Sequence, residues 1–184
     1  MSEHTAIGRG DVVSARQLTS VSGDTVPIPD PDQLVHLQFR RFAGCPICNL
    51  HLQSIVRRHG EIAGAGIREV VVFHSTDQEL RDYVGELPFA VIGDPSKALY
   101  TEFGVGSSPR SVLRPGALTP AVLGAGMRQG LRNTNLHPTR GHLGLPADFL
   151  IAPDGRVLAD KHGRHANDQW SVDELLAQAY SANA

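Results

Sequence analysis

The chain holds two cysteines in 184 residues, and they stand three positions apart as Cys45-Pro46-Ile47-Cys48. So short a spacing cannot staple distant parts of a fold by closing a long loop, so the pair constrains local structure instead. Immediately before it, Leu34-Val35-His36-Leu37-Gln38-Phe39 reads as an interior strand. Immediately after it, apolar residues recur at Leu52, Ile55, Val56, Ile62 and Ala63, a helical stripe with Cys48 at its start and Gly64-Ala65-Gly66 at its end. Pro46 suits the first turn of that helix, where a missing N–H breaks no intrahelical bond. The cysteines are therefore expected at a strand-to-helix junction.

The flanking segments extend the alternation. Val12 to Val26, interrupted by Ser22-Gly23-Asp24, reads as an amino-terminal hairpin. Val70-Val71-Val72-Phe73 has the β-branched character of a buried parallel strand, and Thr76-Asp77-Gln78-Glu79 opens a helix with capping residues. Phe89 to Ile92 forms a short strand and Lys97 to Phe103 a short helix ended by Gly104. The Gly- and Pro-rich stretch 104–144 is treated as an insertion over one edge, with one helix around Thr119 to Met127. Phe149 to Ala152, the turn Pro153-Asp154-Gly155 and Arg156 to Ala159 form a hairpin. Ser171 and Glu174 make a capping box for a final helix running towards Tyr180, with Trp170 packed ahead of it. One α/β domain over residues 1–184 is expected, built on a central mixed sheet flanked by helices.

Lysine and arginine number 17 against 19 acidic residues, a balance that provides no electrostatic footprint for nucleic acid or an anionic membrane. The first ten residues contain no apolar stretch of signal-peptide length and no later segment approaches a bilayer span, so a cytoplasmic location is expected. In such surroundings a close pair of cysteines marks redox exchange or metal binding rather than static cross-linking.

Helix-start geometry explains why thiols belong at this position. Unpaired backbone N–H groups and the helix dipole stabilise a thiolate, and only the thiolate attacks disulfides or peroxides. Cys45 lies at or next to the cap and Cys48 one turn in, on the apolar stripe. By that geometry Cys45 is the exposed nucleophile and Cys48 the more buried, resolving thiol. Arg40 and Arg41 point to opposite sides of their strand, so at most one of them faces the cysteines.

Leu34 to Arg41 followed by Phe42-Ala43-Gly44-Cys45-Pro46-Ile47-Cys48 resembles the peroxiredoxin-like branch of the alkyl hydroperoxide reductase and thiol-specific antioxidant (AhpC/TSA) family. Gly144 to Gly155 is similar to the proline, strand and turn segment of the same superfamily, and Ala159 to Leu176 also resembles it. The resemblance implies a thioredoxin-like fold and catalytic residues Cys45 and Cys48. It also implies a cis proline, Pro146, beside the cysteines as part of the substrate site. Peroxides or disulfides are the implied substrates, with an external thiol such as a thioredoxin or a small thiol as reductant; no cofactor or metal is implied, and a homodimer is compatible with it.

Two departures bear on the chemistry. The family's Pro-x-x-x-Thr-x-x-Cys pattern, counted to Cys48, finds Arg41 at the proline position and Cys45 at the threonine position, and that alignment makes Cys48 the peroxide-reacting thiol. Helix geometry makes it Cys45, and both readings stand at this stage. The chain also has no third cysteine, so turnover must use the Cys45–Cys48 pair or an outside thiol. A redox sensor or binding module without turnover is the alternative function. A zinc module completed by His51 is weaker, because structural zinc sites draw their ligands from two separated knuckles. The other histidines, including His59 on the helical stripe, read as solvated or packed residues.

Overall fold

The computed structural model describes residues 6–83, 87–106 and 144–182. An antiparallel hairpin of β1 (Arg16–Thr19) and β2 (Thr25–Ile28) comes first, with Leu18 opposite Val26. Its turn closes as Ser20 Oγ accepts the Asp24 N–H at 3.0 Å. Then follow β3 (Leu34–Arg40), α1 (Pro46–Arg57), α2 (His59–Gly64), β4 (Ile67–Phe73), α3 (Asp77–Tyr83), β5 (Ala90–Gly93) and α4 (Ala98–Glu102). Beyond residues 107–143, where the expected insertion lies outside the described residues, come β6 (Ala147–Ile151), β7 (Val157–His162) and α5 (Val172–Ala182). The expected helix at Thr119 to Met127 lies outside the described residues.

The main sheet has the order β5-β4-β3-β6-β7, so the strand before the cysteines is central. It pairs parallel with β4 and antiparallel with β6. Alternation gives β3 two buried faces. Val35, Leu37 and Phe39 pack with Val70, Val72, Phe149, Tyr100 and Phe103 and with hairpin residues Val26 and Ile28. The opposite face lies under α1, where Cys48 and Leu52 meet Val71 and Phe73. Farther along, Ile55 joins Ile62, Leu150, Trp170 and Leu175.

The stripe from Leu52 to Ala63 is two helices rather than one. The chain breaks at Arg58, which leaves helical geometry (φ −113°, ψ 16°), and its guanidinium bonds Glu61 at 2.7 and 2.9 Å and Asp173 at 2.7 Å. Those bonds draw Arg58 out of the helical path and tie it to α5. Both expected capping boxes form: Glu79 accepts from the Thr76 N–H, and Glu174 accepts from the Ser171 N–H.

Between the two apolar clusters under α1, the same face of β3 carries His36, Gln38 and Arg40, all buried. His36 Nδ1 lies 2.9 Å from Glu69 on β4, and its Nε2 lies 3.2 Å from Asp148 on β6. Gln38 donates to Glu69 and accepts from Arg40, while Arg40 also donates to Asp148 at 2.7 Å and to His51 Nε2 of α1 at 3.1 Å. With a carboxylate at each ring nitrogen, both nitrogens of His36 donate and the ring is an imidazolium. Burial opposes that charge, but Glu69 and the hydrogen bonds to Asp148 and Glu69 outweigh it and raise the pKa to about 9. Burial likewise opposes the Asp148 carboxylate, yet Arg40 and His36 hold it far below the usual range.

The amino-terminal segment reaches both edges of the sheet. The Val21 N–H donates to Val91 O of β5 at 2.8 Å. On the other side, the Gly10 N–H donates to Val157 O and the Val157 N–H to Asp11 O. Among the described residues, no helix is long and apolar enough to cross a membrane.

The raised pKa of His36 makes its contribution complete below the unfolded value of about 6.5 and lost as pH rises through about 9. Urea unfolding in a Cys45→Ser/Cys48→Ser background, where no thiol titrates in that window, is expected to show a fall on the order of 3 kcal/mol across it. Asp148→Asn, which leaves Arg40 and His36 short of a charge partner, should cost about 3–5 kcal/mol. At Gly163 an added Cβ would meet Asp168 O at 2.6 Å and Pro146 O at 2.8 Å. Gly163→Ala should therefore lose about 1–3 kcal/mol by the same assay, since backbone crowds the site; Gly60→Ala, with open space around it, should not.

Candidate active site

Beyond β3 the chain turns sharply. The Cys45 N–H donates to Phe42 O at 3.2 Å, and Gly44 takes φ +79°, a conformation that glycine accepts without strain. Cys45 then stands as the N-cap residue of α1 in an extended conformation, Pro46 occupies the start of the first turn, and the Asn49 N–H closes the first helical bond to Cys45 O at 3.0 Å. The expectation that both cysteines sit at a helix start after an interior strand is met.

The expected contrast in exposure is not. Both sulfur residues are 1% exposed and both are free thiols. Cys45 is buried because the turn folds it onto Leu52, Val71, Phe73, Leu80 and Ala166, the same cluster that holds Cys48. Electrostatics separate the pair instead. The Cys48 thiol hydrogen-bonds Cys45 and stabilises its anion; burial opposes this, and Arg41, with Nη1 3.8 Å from Cys45 Sγ, adds to it, bringing Cys45 down to about 7. Cys45 makes no short capping bond, so the N–H groups of Ile47 and Cys48 act on it as dipoles. Burial, together with the anion on Cys45, pushes Cys48 up. The physical preference is a Cys45 thiolate solvated by a Cys48 thiol.

The two arginines part company as alternation requires. Arg40 turns into the ion cluster under α1, and Arg41 faces Cys45. His51 belongs to the Arg40 side: burial and the Arg40 charge push its pKa well below the ordinary value, and it accepts from Arg40 as a neutral ring. Among the described residues, no group of three or more histidine, cysteine or acidic side chains is arranged to hold a metal ion. His59 is half-buried with its ring 5.8 Å from that of Phe89.

Pro146 is buried at the entry to β6, and the register that pairs Phe39 with Ala147 puts it at the end of β3 from which the cysteine loop leaves. The expected cis bond is corrected: among the described residues the cis peptide bond is Ile28–Pro29, and Leu145–Pro146 is trans. The Leu145 N–H donates to Gly106 O and Pro146 O accepts from the Gly163 N–H, so the chain enters β6 already extended and continues the β6–β7 ladder.

Sequence reasoning passed over several residues that build this site. His36 and Gln38 read only as parts of a strand, Asp148 falls in the segment that carries the family resemblance, and Glu69 precedes the strand expected from Val70. Ser75, whose Oγ accepts the Ala43 N–H at 2.9 Å, and Tyr100, whose hydroxyl reaches Arg40 O and Val72 O, lay in separate predicted helices or loops. The polar residue at every second position of Leu34 to Arg40 is the one signal that was available.

Several solved structures share the fold. The peroxidoxin BcpB of Mycobacterium tuberculosis superposes with a TM-score of 0.68 at 16% identity, over 95% of this chain and 97% of that one. Peroxiredoxin Q of Xanthomonas campestris gives 0.63 at 15% identity, over 90% of each chain. A protein described as thiol:disulfide interchange protein DsbE of Chlorobium tepidum gives 0.59 at 18% identity, over 98% of this chain and all of that one. No curated protein sequence matches this chain. Residues 54–165, more than half of the chain, match the family described as AhpC/TSA antioxidant enzyme; the match begins beyond the two cysteines, whose assignment rests on the geometry above. With its thioredoxin-like mixed sheet and that match, the chain belongs to the AhpC/TSA antioxidant enzyme family.

Proposed function

We propose that the chain is a thiol-dependent oxidoreductase that reduces a small hydroperoxide at Cys45 and closes a Cys45–Cys48 disulfide. The observation that carries this reading is the unequal pair: a Cys45 thiol lowered to about 7 beside Arg41, and a Cys48 thiol held protonated next to it. Cys45 is thereby a thiolate in a large fraction of molecules at neutral pH, and the thiolate is the attacking species.

The Cys45 sulfur attacks one peroxide oxygen, the O–O bond breaks, the alkoxide or hydroxide leaves and takes a proton, and Cys45 becomes a sulfenic acid. Cys48 then attacks that sulfur, the S–O bond breaks, and water leaves as the disulfide forms. An external dithiol, a thioredoxin or small thiols, returns both cysteines to the reduced state and is itself oxidised to a disulfide. Burial of both sulfurs favours small oxidants over protein disulfides. Pro146, at the same end of the sheet, is assigned to the wall of the substrate site. Peroxiredoxin neighbours share the fold, and pairing of this chain with a second copy is part of the same reading.

The same burial favours one rival, a sensor oxidised once without turnover. Mass spectrometry after hydrogen peroxide treatment is expected to find a Cys45–Cys48 disulfide in the native protein and a sulfenic acid on Cys45 in Cys48→Ser. Finding neither species sinks the redox reading. Peroxide consumption with a thiol reductant should be catalytic, abolished in Cys45→Ser, and should rise with pH through about 7 as the thiolate forms. Oxidation of one equivalent that then stops identifies the sensor.

A further inference from the structure

Two elements grip Arg40–Ala43, where β3 runs into the cysteine turn. From α4, on the face of the sheet opposite α1, the Tyr100 hydroxyl lies against Arg40 O and 2.9 Å from Val72 O, at the paired ends of β3 and β4. From the loop after β4, the His74 N–H donates to Arg41 O at 3.3 Å. The next residue, Ser75, is buried and accepts the Ala43 N–H through Oγ at 2.9 Å. Bonds before, at and after Arg41 thus fix the backbone from which its guanidinium reaches Cys45.

We propose that Tyr100 and Ser75 are positioning residues that set the reactivity of Cys45 by holding the Arg40–Ala43 backbone so that Arg41 stays against its sulfur. The proposal rests on Cys45 as the attacking thiol but not on turnover. Burial, with the nearby Cys48 and Asp94, keeps the Tyr100 phenol protonated far above neutrality, so it remains a donor to the carbonyl across the working range. Its ring is locked edge-on to Phe39 with centroids 5.0 Å apart and against the His74 ring at 5.6 Å, which leaves the hydroxyl one place to point. Ser75 is held in turn by a close approach: an added Cβ at Gly93 would meet Ser75 O at 2.9 Å, so the loop sits where only glycine leaves room. Around Cys45 and its supports, the described groups that titrate or carry charge include Arg40 at the end of β3, Arg41 ahead of α1, Cys48 on α1, His74 after β4, Asp94 after β5 and Tyr100 on α4.

The test follows the first thiolate of the reduced protein by its ultraviolet absorbance against pH, with far-ultraviolet circular dichroism to verify folding. Tyr100→Phe keeps the ring and removes one hydroxyl; Ser75→Ala removes a different bond and tests the clamp independently. Each is expected to raise the midpoint by up to about one pH unit, a roughly tenfold smaller thiolate fraction on the acid side. In an Arg41→Met background, where the midpoint is already raised, adding either change should move it little further, the non-additivity expected of residues acting through one partner. Folded variants with an unchanged midpoint overturn the proposal, as do equal shifts in both backgrounds. Because the readout is ionisation, a protein that proves unable to turn over peroxide still decides the matter.

Discussion

Two successive arginines at the end of a strand with both faces buried organise this protein. Arg40 is taken into a cluster with Asp148, Gln38 and His51, and Arg41 is delivered to Cys45. Both arginines are buried, so each guanidinium must be matched by buried partners or by an anion. For Arg40 the match comes from β6 and α1, which ties the central strand to its neighbour and to the helix above. For Arg41 the partner is a sulfur, and a buried cation beside a thiol shifts that thiol towards its anion.

This arrangement lets a sulfur be shielded and ionisable together. Burial by itself raises a thiol pKa, as at Cys48. At Cys45 the donated Cys48 hydrogen bond and the Arg41 charge reverse the sign. Exposure to water is thus not what makes this cysteine the anion, and the helix dipole is one contribution among several rather than the whole cause.

The order of elements was legible in the sequence because each carries a local signature. Thr76 with Glu79 and Ser171 with Glu174 announce helix starts, the β-branched run at Val70 to Phe73 announces a buried strand, and Gly23 announces the first turn. The break at Arg58 was not legible, since the bond to Asp173 that stabilises it comes from 115 positions away. The ion cluster escaped for the same reason: His36 finds Glu69 and Asp148 across 33 and 112 positions, and a periodic pattern records which residues share a face without recording what faces them. The resemblance in Gly144 to Gly155 located Pro146 at the correct end of the sheet but carried over a cis bond that this chain does not form. The place of Cys45 and Cys48 at a helix start is legible in the sequence, yet which of them ionises depends on Arg41 and on the turn at Gly44.

The amino-terminal arm, by bonding to β5 through Val21 and to β7 through Gly10 and Asp11, occupies hydrogen-bonding positions on the outermost strands of the main sheet. Exposed strand edges are templates on which other chains can add, and blocking them is a common protection against runaway association. Self-assembly by extending the sheet from one molecule into the next is correspondingly disfavoured, which leaves helical and loop surfaces as the places where a second molecule can dock.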